Sequence, residues 1–132
     1  MKISPEHPRS SCPVACTLDL VGDRWTLLVL RDLLLGKHHF DELLQAPEGI
    51  ATNILAERLK RLQTLGMVIA TIDESNRRRK YYEPTELGRS FTPVLKSIAR
   101  WGLTHLDGTA AFPGVQAALA TEANLHLHDK KQ

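Results

Sequence analysis

The stretch 49–68 constrains the fold most strongly, because an amphipathic helical pattern within it runs directly into a strand pattern. At about 100° per residue, Leu55, Leu59 and Leu62 fall within one narrow arc of a helix over residues 51–65. Polar side chains occupy the opposite arc: Asn53, Glu57, Lys60 and Thr64. The pattern therefore predicts a helix with one face in a core and the other exposed to solvent or to a ligand.

A basic hairpin is predicted directly after this helix. Gly66 is typical of a helix end, and residues 67–73 then alternate and are rich in β-branched side chains, which predicts a strand. A polar turn follows, and residues 80–84 return as a second strand. The segment 74–82 concentrates positive charge on this hairpin, with four cations: Arg77, Arg78, Arg79 and Lys80.

Two helices are predicted near the start of the chain. Pro13 suits the first position of a helix with Cys12 at or near its cap, so the first helix covers about 14–21. The second, over 24–35, is apolar almost all round and ends at a glycine. A helix of this composition belongs in the middle of a domain.

The next two predicted helices form a helix-turn-helix. Residues 37–40 are predicted as a short extended linker, which takes the place of a short strand in the order of elements, and residues 39–46 as about two helical turns. A turn around 47–49 then leads into helix 51–65. With the basic hairpin directly behind it, this order is typical of a winged helix-turn-helix domain, which is mainly α with a small β-hairpin wing (α+β).

The segment after the hairpin returns to helical spacing. Thr85 is a good N-cap, and apolar positions recur from Phe91 through Trp101. Pro93 lies inside this run, so it must either kink the helix or start a second one with Thr92 as the cap.

Length and composition agree with one soluble domain. The 132 residues carry a formal net charge of only +2, so any basic surface must come from local clustering. The start lacks the apolar segment of a secretory signal, and no run is long enough for a bilayer, which favours a cytoplasmic location. We expect a flexible arm at 1–11, a single domain at 12–107 and a partly helical extension at 108–132.

The chain resembles the HxlR-type family of bacterial winged-helix transcription regulators, relatives of the MarR regulators. The resemblance rests on three segments: "CPVACTLDLVGDRWTLLVLRDLLLGKHHFDELL", "GIATNILAERLKRLQTLGMV" and "YYEPTELGRSFTPVLKSIARWG". It implies a homodimer that binds operator DNA and usually senses a small molecule or a redox signal. Two positions depart from the family pattern. Ala51 stands where a serine cap is common, so Thr52 takes the capping role or the helix start is weakened, and Pro84 must end its strand or lie at an edge.

On this interpretation helix 51–65 enters the major groove of DNA and the wing contacts the adjacent backbone or minor groove. Base edges would meet the outward N-terminal positions: Thr52, Asn53, Ala56 and Glu57. Phosphates would be held by flanking cations: Arg58, Lys60, Arg61, Arg77, Arg78, Arg79 and Lys80. Lys37, His38 and His39 precede the first helix of the motif and are candidates for backbone contact, although for the histidines an ordinary surface role is equally compatible.

Cys12 and the outer helices carry two further predictions. A thiol at a helix N-terminus beside Arg9 is easily ionised, and in the resembling family a cysteine at this position often senses oxidants or electrophiles, which makes Cys12 a candidate redox switch. Cys16 would resolve the oxidised thiol or, more simply, be buried and inert. The extra helices supply candidate dimerisation residues: Val14, Leu18, Phe91, Ile98 and Trp101.

Three alternatives to DNA binding are an enzyme, a zinc site and a protein-interaction module. The chain lacks a phosphate loop, a nucleophile elbow and an H-E-x-x-H motif, which argues against an enzyme, and it implies no cofactor. Cys12, Cys16, His126 and His128 are zinc-type ligands, but their spacing matches no zinc finger. The remaining alternative keeps the fold as a winged-helix protein-interaction module without DNA binding.

Overall fold

The computed structural model describes residues 2–120. A predominantly helical chain carries one two-stranded antiparallel sheet, in the order of a winged helix-turn-helix. The elements are α1 Pro13–Val21, α2 Thr26–Leu34, α3 Phe40–Leu44, α4 Thr52–Thr64, β1 Val68–Ile72, β2 Lys80–Pro84, α5 Glu86–Arg89 and α6 Thr92–His105. Residues 113–120 are also helical. The residues up to Ser90 form one compact unit, and those from Phe91 form a second.

The core of the first unit lies where α2 meets α4. Leu55 and Leu62 of α4 are fully buried, and Leu59 is 1% exposed, so the predicted apolar arc is confirmed. Leu30 and Leu33 of α2 are buried to the same degree, as expected for a central helix. Burying each such side chain stabilises the fold by roughly 1.5–3 kcal/mol. This core fixes which face of α4 remains outside.

The end of α4 is set by Gly66. Its φ of 76° is left-handed, a conformation that glycine adopts without strain. The amide of Gly66 donates to the carbonyl of Gln63, and the amide of Met67 donates to the carbonyl of Leu62. This pair of bonds is a Schellman motif. The chain therefore leaves α4 and enters β1 after a single glycine.

The hairpin pairs residue by residue from Val68 with Pro84 to Ile72 with Lys80. Pro84 is the last residue of β2, as predicted from its missing N–H. The segment before α3 is extended at His39, as predicted for the linker 37–40, but the short strand predicted there in the order of elements was wrong. Only the carbonyl of His38 accepts a bond from this hairpin, from the amide of Tyr82 at 2.7 Å, so no third strand forms among the described residues.

The predicted start of α2 at residue 24 was early by two residues. The helix begins at Thr26, because the carboxylate of Asp23 accepts hydrogen bonds from the amides of Trp25 and Thr26. Asp23 also accepts a bond from the Thr26 hydroxyl. The carboxylate thereby satisfies amides at a helix start that have no partner within the helix.

The segment after the wing divides into two helices at Pro93. The second of the two predicted alternatives therefore holds, although the cap position is Phe91 and not Thr92. Thr85 caps α5 as expected, since its hydroxyl accepts the Gly88 amide. Gly88 approaches the backbone closely, and a Cβ on it would lie 2.2 Å from the carbonyl oxygen of Met67.

Candidate nucleic-acid interface

The outer flank of α4 is exposed to solvent. Leu55, Leu59 and Leu62 turn inward, and the opposite side chains are exposed: Thr52, Asn53, Ala56, Glu57 and Lys60. Residues 2–6 line a shallow groove together with Glu57, Lys60 and Thr64 of α4. Thr52, Asn53 and Ala56, nearer the start of α4, do not line this groove. We call these five exposed residues of α4 the outer flank.

Ala51 occupies the N-cap position of α4 without a side-chain hydrogen bond. Its ψ of 150° is extended, and its carbonyl accepts the first helical bond from the amide of Leu55. The start of α4 thus lacks the capping bond that a serine would give, which weakens it by about 1 kcal/mol.

Arg58 is engaged within the chain. Its Nε donates to Asp23 at 2.7 Å, and its Nη1 lies 3.0 Å from the Glu57 carboxylate. Burial raises the pKa of Asp23, but the bonds from Thr26 and Arg58 outweigh this effect, and the net pKa is well below the usual value. The carboxylate that caps α2 therefore also holds α4, and Arg58 is not positioned as a free phosphate ligand.

Arg61 is engaged in the same way, with the end of α1. Its Nη2 donates to the carbonyls of Asp19 and Leu20 at 3.0 and 2.7 Å, and its Nε donates to Leu20 at 3.0 Å. A guanidinium is favourable at a helix C-terminus because it satisfies carbonyls without helical partners. Arg58 and Arg61 thus join α4 to the start of α2 and to the end of α1. Of the cations predicted to hold phosphates, these two are the least available for that contact.

The wing tip is shaped by two side chains that bond to the backbone just ahead of them. The Asp73 carboxylate accepts the amide and the hydroxyl of Ser75, and the Asn76 side chain accepts the amide of Arg78 at 3.1 Å. These are Asx turns, and they fix a compact loop between β1 and β2. The exposed cations of the wing lie on and just after this loop: Arg77, Arg78 and Lys80.

Arg79 differs from the other wing cations. It is half-buried, and its Nη2 donates to the Asp41 carboxylate of α3 at 2.7 Å, which lowers the pKa of Asp41. Within residues 2–120, Lys60, Arg77, Arg78 and Lys80 make no ion pair. Among the cations of α4 and the wing, these four are therefore available to an outside anion.

The two histidines before α3 contact the hairpin. His38 bonds through Nδ1 to the carbonyl of Tyr82 at 2.7 Å and stacks on Tyr81 with ring centroids 4.5 Å apart. His39 bonds to Glu42 and Asp73. Neither ring is an exposed surface group. Lys37 lies near Glu48, whose pKa is lowered first by Arg31 and to a lesser extent by the Lys37 charge.

The thiol of Cys12 is exposed at the N-cap of α1. The backbone amides of Ala15 and Val14 at the start of α1 lower its pKa. Cys16 is half-buried, and its thiol donates to the carbonyl of Ser10 at 3.2 Å. Both thiols are free. Cys12 is therefore the more accessible of the two thiols.

The predicted dimerisation residues are largely exposed. In α1 the exposed fraction is 67% for Val14 and 53% for Leu18. In α6 it is 52% for Ile98 and 60% for Trp101, whereas Phe91 is half-buried. No residue of α6 is buried. Each of the two helices thus presents apolar side chains to solvent.

Residues 2–120 contain no cluster of three candidate metal ligands, and none of their helices is long and apolar enough to cross a bilayer. Two of the four zinc-type residues noted in the sequence, His126 and His128, lie outside the described residues.

The profile of the HxlR-like helix-turn-helix family matches residues 20–110, from the end of α1 to beyond α6. The chain belongs to this family. An HTH-type transcriptional regulator of Synechocystis sp. is 33% identical to it over 96 residues, which are 73% of this chain and 71% of that protein. The HxlR-like chain is accordingly a transcriptional regulator of the helix-turn-helix type.

Two solved structures of regulators share the fold. The redox regulator HypR in its oxidized form aligns with a TM-score of 0.65 at 29% identity, over 73% of this chain and 99% of that one. The quinone-bound form of YodB from Bacillus subtilis aligns with a TM-score of 0.59 at 28% identity, over 70% of this chain and 99% of that one.

Proposed function

We propose that this regulator binds operator DNA through the outer flank of α4 and the wing. One observation carries the proposal: α4 buries its leucines almost completely while the polar side chains of its outer flank remain exposed, and of these only Glu57 is paired, with Arg58 of the same helix, within the described residues. In a helix-turn-helix the second helix presents such a face to base edges in the major groove. Asn53 is suited to adenine, and Glu57 to the amino group of cytosine.

Phosphate contacts fall to the cations that make no ion pair within the described chain. Lys60 lies on α4, and Arg77, Arg78 and Lys80 lie on the wing. Arg79 would join them only by exchanging Asp41 for a phosphate. This assignment narrows the sequence prediction, because Arg58 and Arg61 already have partners in the chain.

We propose that the protein acts as a homodimer. A single module reads one half-site, and two-fold pairing supplies a second about one helical turn away. The exposed apolar side chains of α1 and α6 support this assignment, since α6 buries none of its residues within the described chain.

Oxidation or alkylation of Cys12 is the proposed switch. A thiolate attacks hydrogen peroxide, forming an S–O bond and breaking the O–O bond, so that sulfur is oxidised to a sulfenic acid and hydroxide leaves. Exposure of the thiol and its lowered pKa support this role. The likeness to HypR and to quinone-bound YodB supports it further. Arg61 bonds to the last carbonyls of α1, so a displacement of α1 would reach α4 directly.

The experiment compares binding of the purified protein to the region upstream of its own gene with binding to a scrambled duplex of equal composition. Fluorescence anisotropy at salt concentrations from about 50 to 200 mM gives affinity and salt slope together. DNA binding predicts tighter binding to the upstream duplex and a steep loss of affinity with salt. A protein-interaction module would bind neither duplex, and that result would overturn the proposal.

A further inference from the structure

His39 lies where α3 of the helix-turn-helix meets the wing. It occupies the N-cap position of α3, and its ring is bonded on both sides. Nδ1 lies 2.5 Å from Oε1 of Glu42 on α3, and Nε2 lies 2.8 Å from Oδ2 of Asp73 at the start of the wing loop. One imidazole thus joins the helix-turn-helix to the base of the wing.

With both carboxylates ionised, this geometry requires both ring nitrogens to donate. An ionised carboxylate only accepts hydrogen bonds, and a neutral imidazole has a single N–H. Only the imidazolium can therefore make both bonds. Ser75 also donates to the Asp73 carboxylate, so that carboxylate is held ionised, with a pKa of about 2.

The remaining charges around the ring do not reverse this conclusion. Arg79 on the wing opposes a charge on His39, but its guanidinium is already paired with Asp41 of α3. The ring of Tyr81 from β2 meets His39 edge-on, with centroids 5.6 Å apart. The bonds to Glu42 and then Asp73 raise the pKa of His39 above its ordinary value.

We propose that His39 is a positioning residue whose imidazolium form holds the base of the wing against α3, so that the protein binds DNA more tightly while the ring is protonated. The inference rests on the proposed function, because it regulates the same surface. Loss of the proton leaves one N–H for two carboxylates, and one of the two bonds is lost.

The sign of the pH effect follows from the direction of the shift. A histidine whose pKa is raised in the folded protein contributes fully at low pH, and the contribution is lost as pH rises through that raised pKa. The wing should therefore be held most firmly at about pH 6 and released as the pH rises through the raised pKa of His39. DNA affinity should fall over the same interval.

The test measures affinity for the upstream duplex at about pH 6 and about pH 8.5 at one salt concentration. We expect the wild-type affinity to fall by about threefold to fivefold, the size of one partly exposed ion pair. His39→Arg keeps two donors at both pH values and should remove the fall while retaining tight binding. His105→Gln, a change to an exposed histidine of α6, should leave the fall unchanged. An equal fall in wild type and His39→Arg would overturn the proposal.

Asp73→Asn separates positioning from direct contact of His39 with DNA. Asparagine still accepts the Ser75 amide, but it removes the anionic partner of His39 in the wing. Positioning predicts weak binding at both pH values and no pH response. Direct contact predicts that the pH response persists in Asp73→Asn, and that result would contradict the proposal.

A readout without DNA distinguishes failure of the inference from failure of the proposed function. NMR follows the titration of the His39 ring. In parallel it measures the amide exchange rates of residues 73–80, and each rate in the wild type is divided by the rate of the same amide in His39→Arg. The inference predicts faster wing exchange in wild type as the ring loses its proton. An unchanged ratio across the titration would overturn it even if DNA binds, and absence of DNA binding at every pH would overturn the proposed function alone.

Discussion

Asp23 positions two helices with one carboxylate. It accepts the amides at the start of α2, and it also accepts a bond from Arg58 of α4 at 2.7 Å. Thr85 acts similarly, since its hydroxyl donates to the carbonyl of Gly66 at 2.6 Å and accepts from the Gly88 amide. Short polar side chains in this protein therefore set the places where elements meet.

Gly88 gives the first prediction at the scale of a residue. Gly88→Ala should lower the free energy of unfolding by about 1–3 kcal/mol, because its Cβ would meet the backbone carbonyl of Met67, which cannot move aside easily. Gly102→Ala in α6 is the matched control, since its nearest neighbour lies 3.9 Å away. The control should be stabilised by about 0.5–1 kcal/mol. Urea denaturation measures both, and equal stability of the two variants would contradict this account.

Cys12 gives the second prediction at this scale, which concerns oxidation of its thiol. Hydrogen peroxide should weaken binding of the upstream duplex by the wild type, because its exposed thiol has a lowered pKa, and it should leave Cys12→Ser unaffected. Cys16→Ser should still respond, since the Cys16 thiol is half-buried and bonded to Ser10. Anisotropy before and after oxidation measures the effect. A response that disappears in Cys16→Ser and persists in Cys12→Ser would show that Cys16 is the switch, and would contradict the assignment to Cys12.

At the scale of elements, periodicity was informative where a long segment has one apolar face. The arc of Leu55, Leu59 and Leu62 predicted the orientation of α4, and Gly66 predicted its end. The boundary of α2 could not be placed by periodicity, because it depends on the carboxylate of Asp23. The sequence does contain a capping pattern here, because Asp23 stands three residues before Thr26 and bonds to both its amide and its hydroxyl.

The side-chain assignments were less predictable, because they depend on partners distant in sequence. Their positions beside the outward face of the predicted helix grouped Arg58 and Arg61 with the wing arginines as phosphate ligands. Arg58 meets a carboxylate 35 positions away, and Arg61 meets carbonyls 41 and 42 positions away. His39 likewise meets Asp73 at a separation of 34. No local sequence pattern predicts contacts between residues so far apart in the chain.

The wing and α4 give a prediction that separates their roles. Asn53→Ala should relax sequence preference at one base pair, where a bidentate contact is worth about 1–3 kcal/mol. Arg77→Ala combined with Arg78→Ala should weaken binding to all duplexes and flatten the salt response, because each lost phosphate contact lowers the slope by about one. Binding to a set of singly substituted duplexes at several salt concentrations measures both effects. Equal loss of discrimination in the two variants would contradict this division.

At the scale of the whole molecule, the exposed apolar side chains of α6, Ile98 and Trp101 among them, predict that the protein is a dimer. Ile98→Glu should convert dimer to monomer and weaken operator binding, because it places a charge on a face that pairing would bury. The change need not unfold the chain, since no residue of α6 is buried within it. Ile69→Glu, on an apolar side chain of β1 that is 46% exposed, is the matched control and should remain a dimer. Sedimentation equilibrium decides, and a monomeric wild type would refute the dimer.

The central claim is that the outer flank of α4 and the wing bind one duplex together. A hydroxyl-radical footprint on the upstream duplex tests it most directly. We predict two protected half-sites about one helical turn apart, each flanked by a further protected patch that disappears when Arg77 and Arg78 are replaced by alanine. A footprint that the wing variant leaves unchanged, or no protection at concentrations where the protein is folded and dimeric, would contradict the claim.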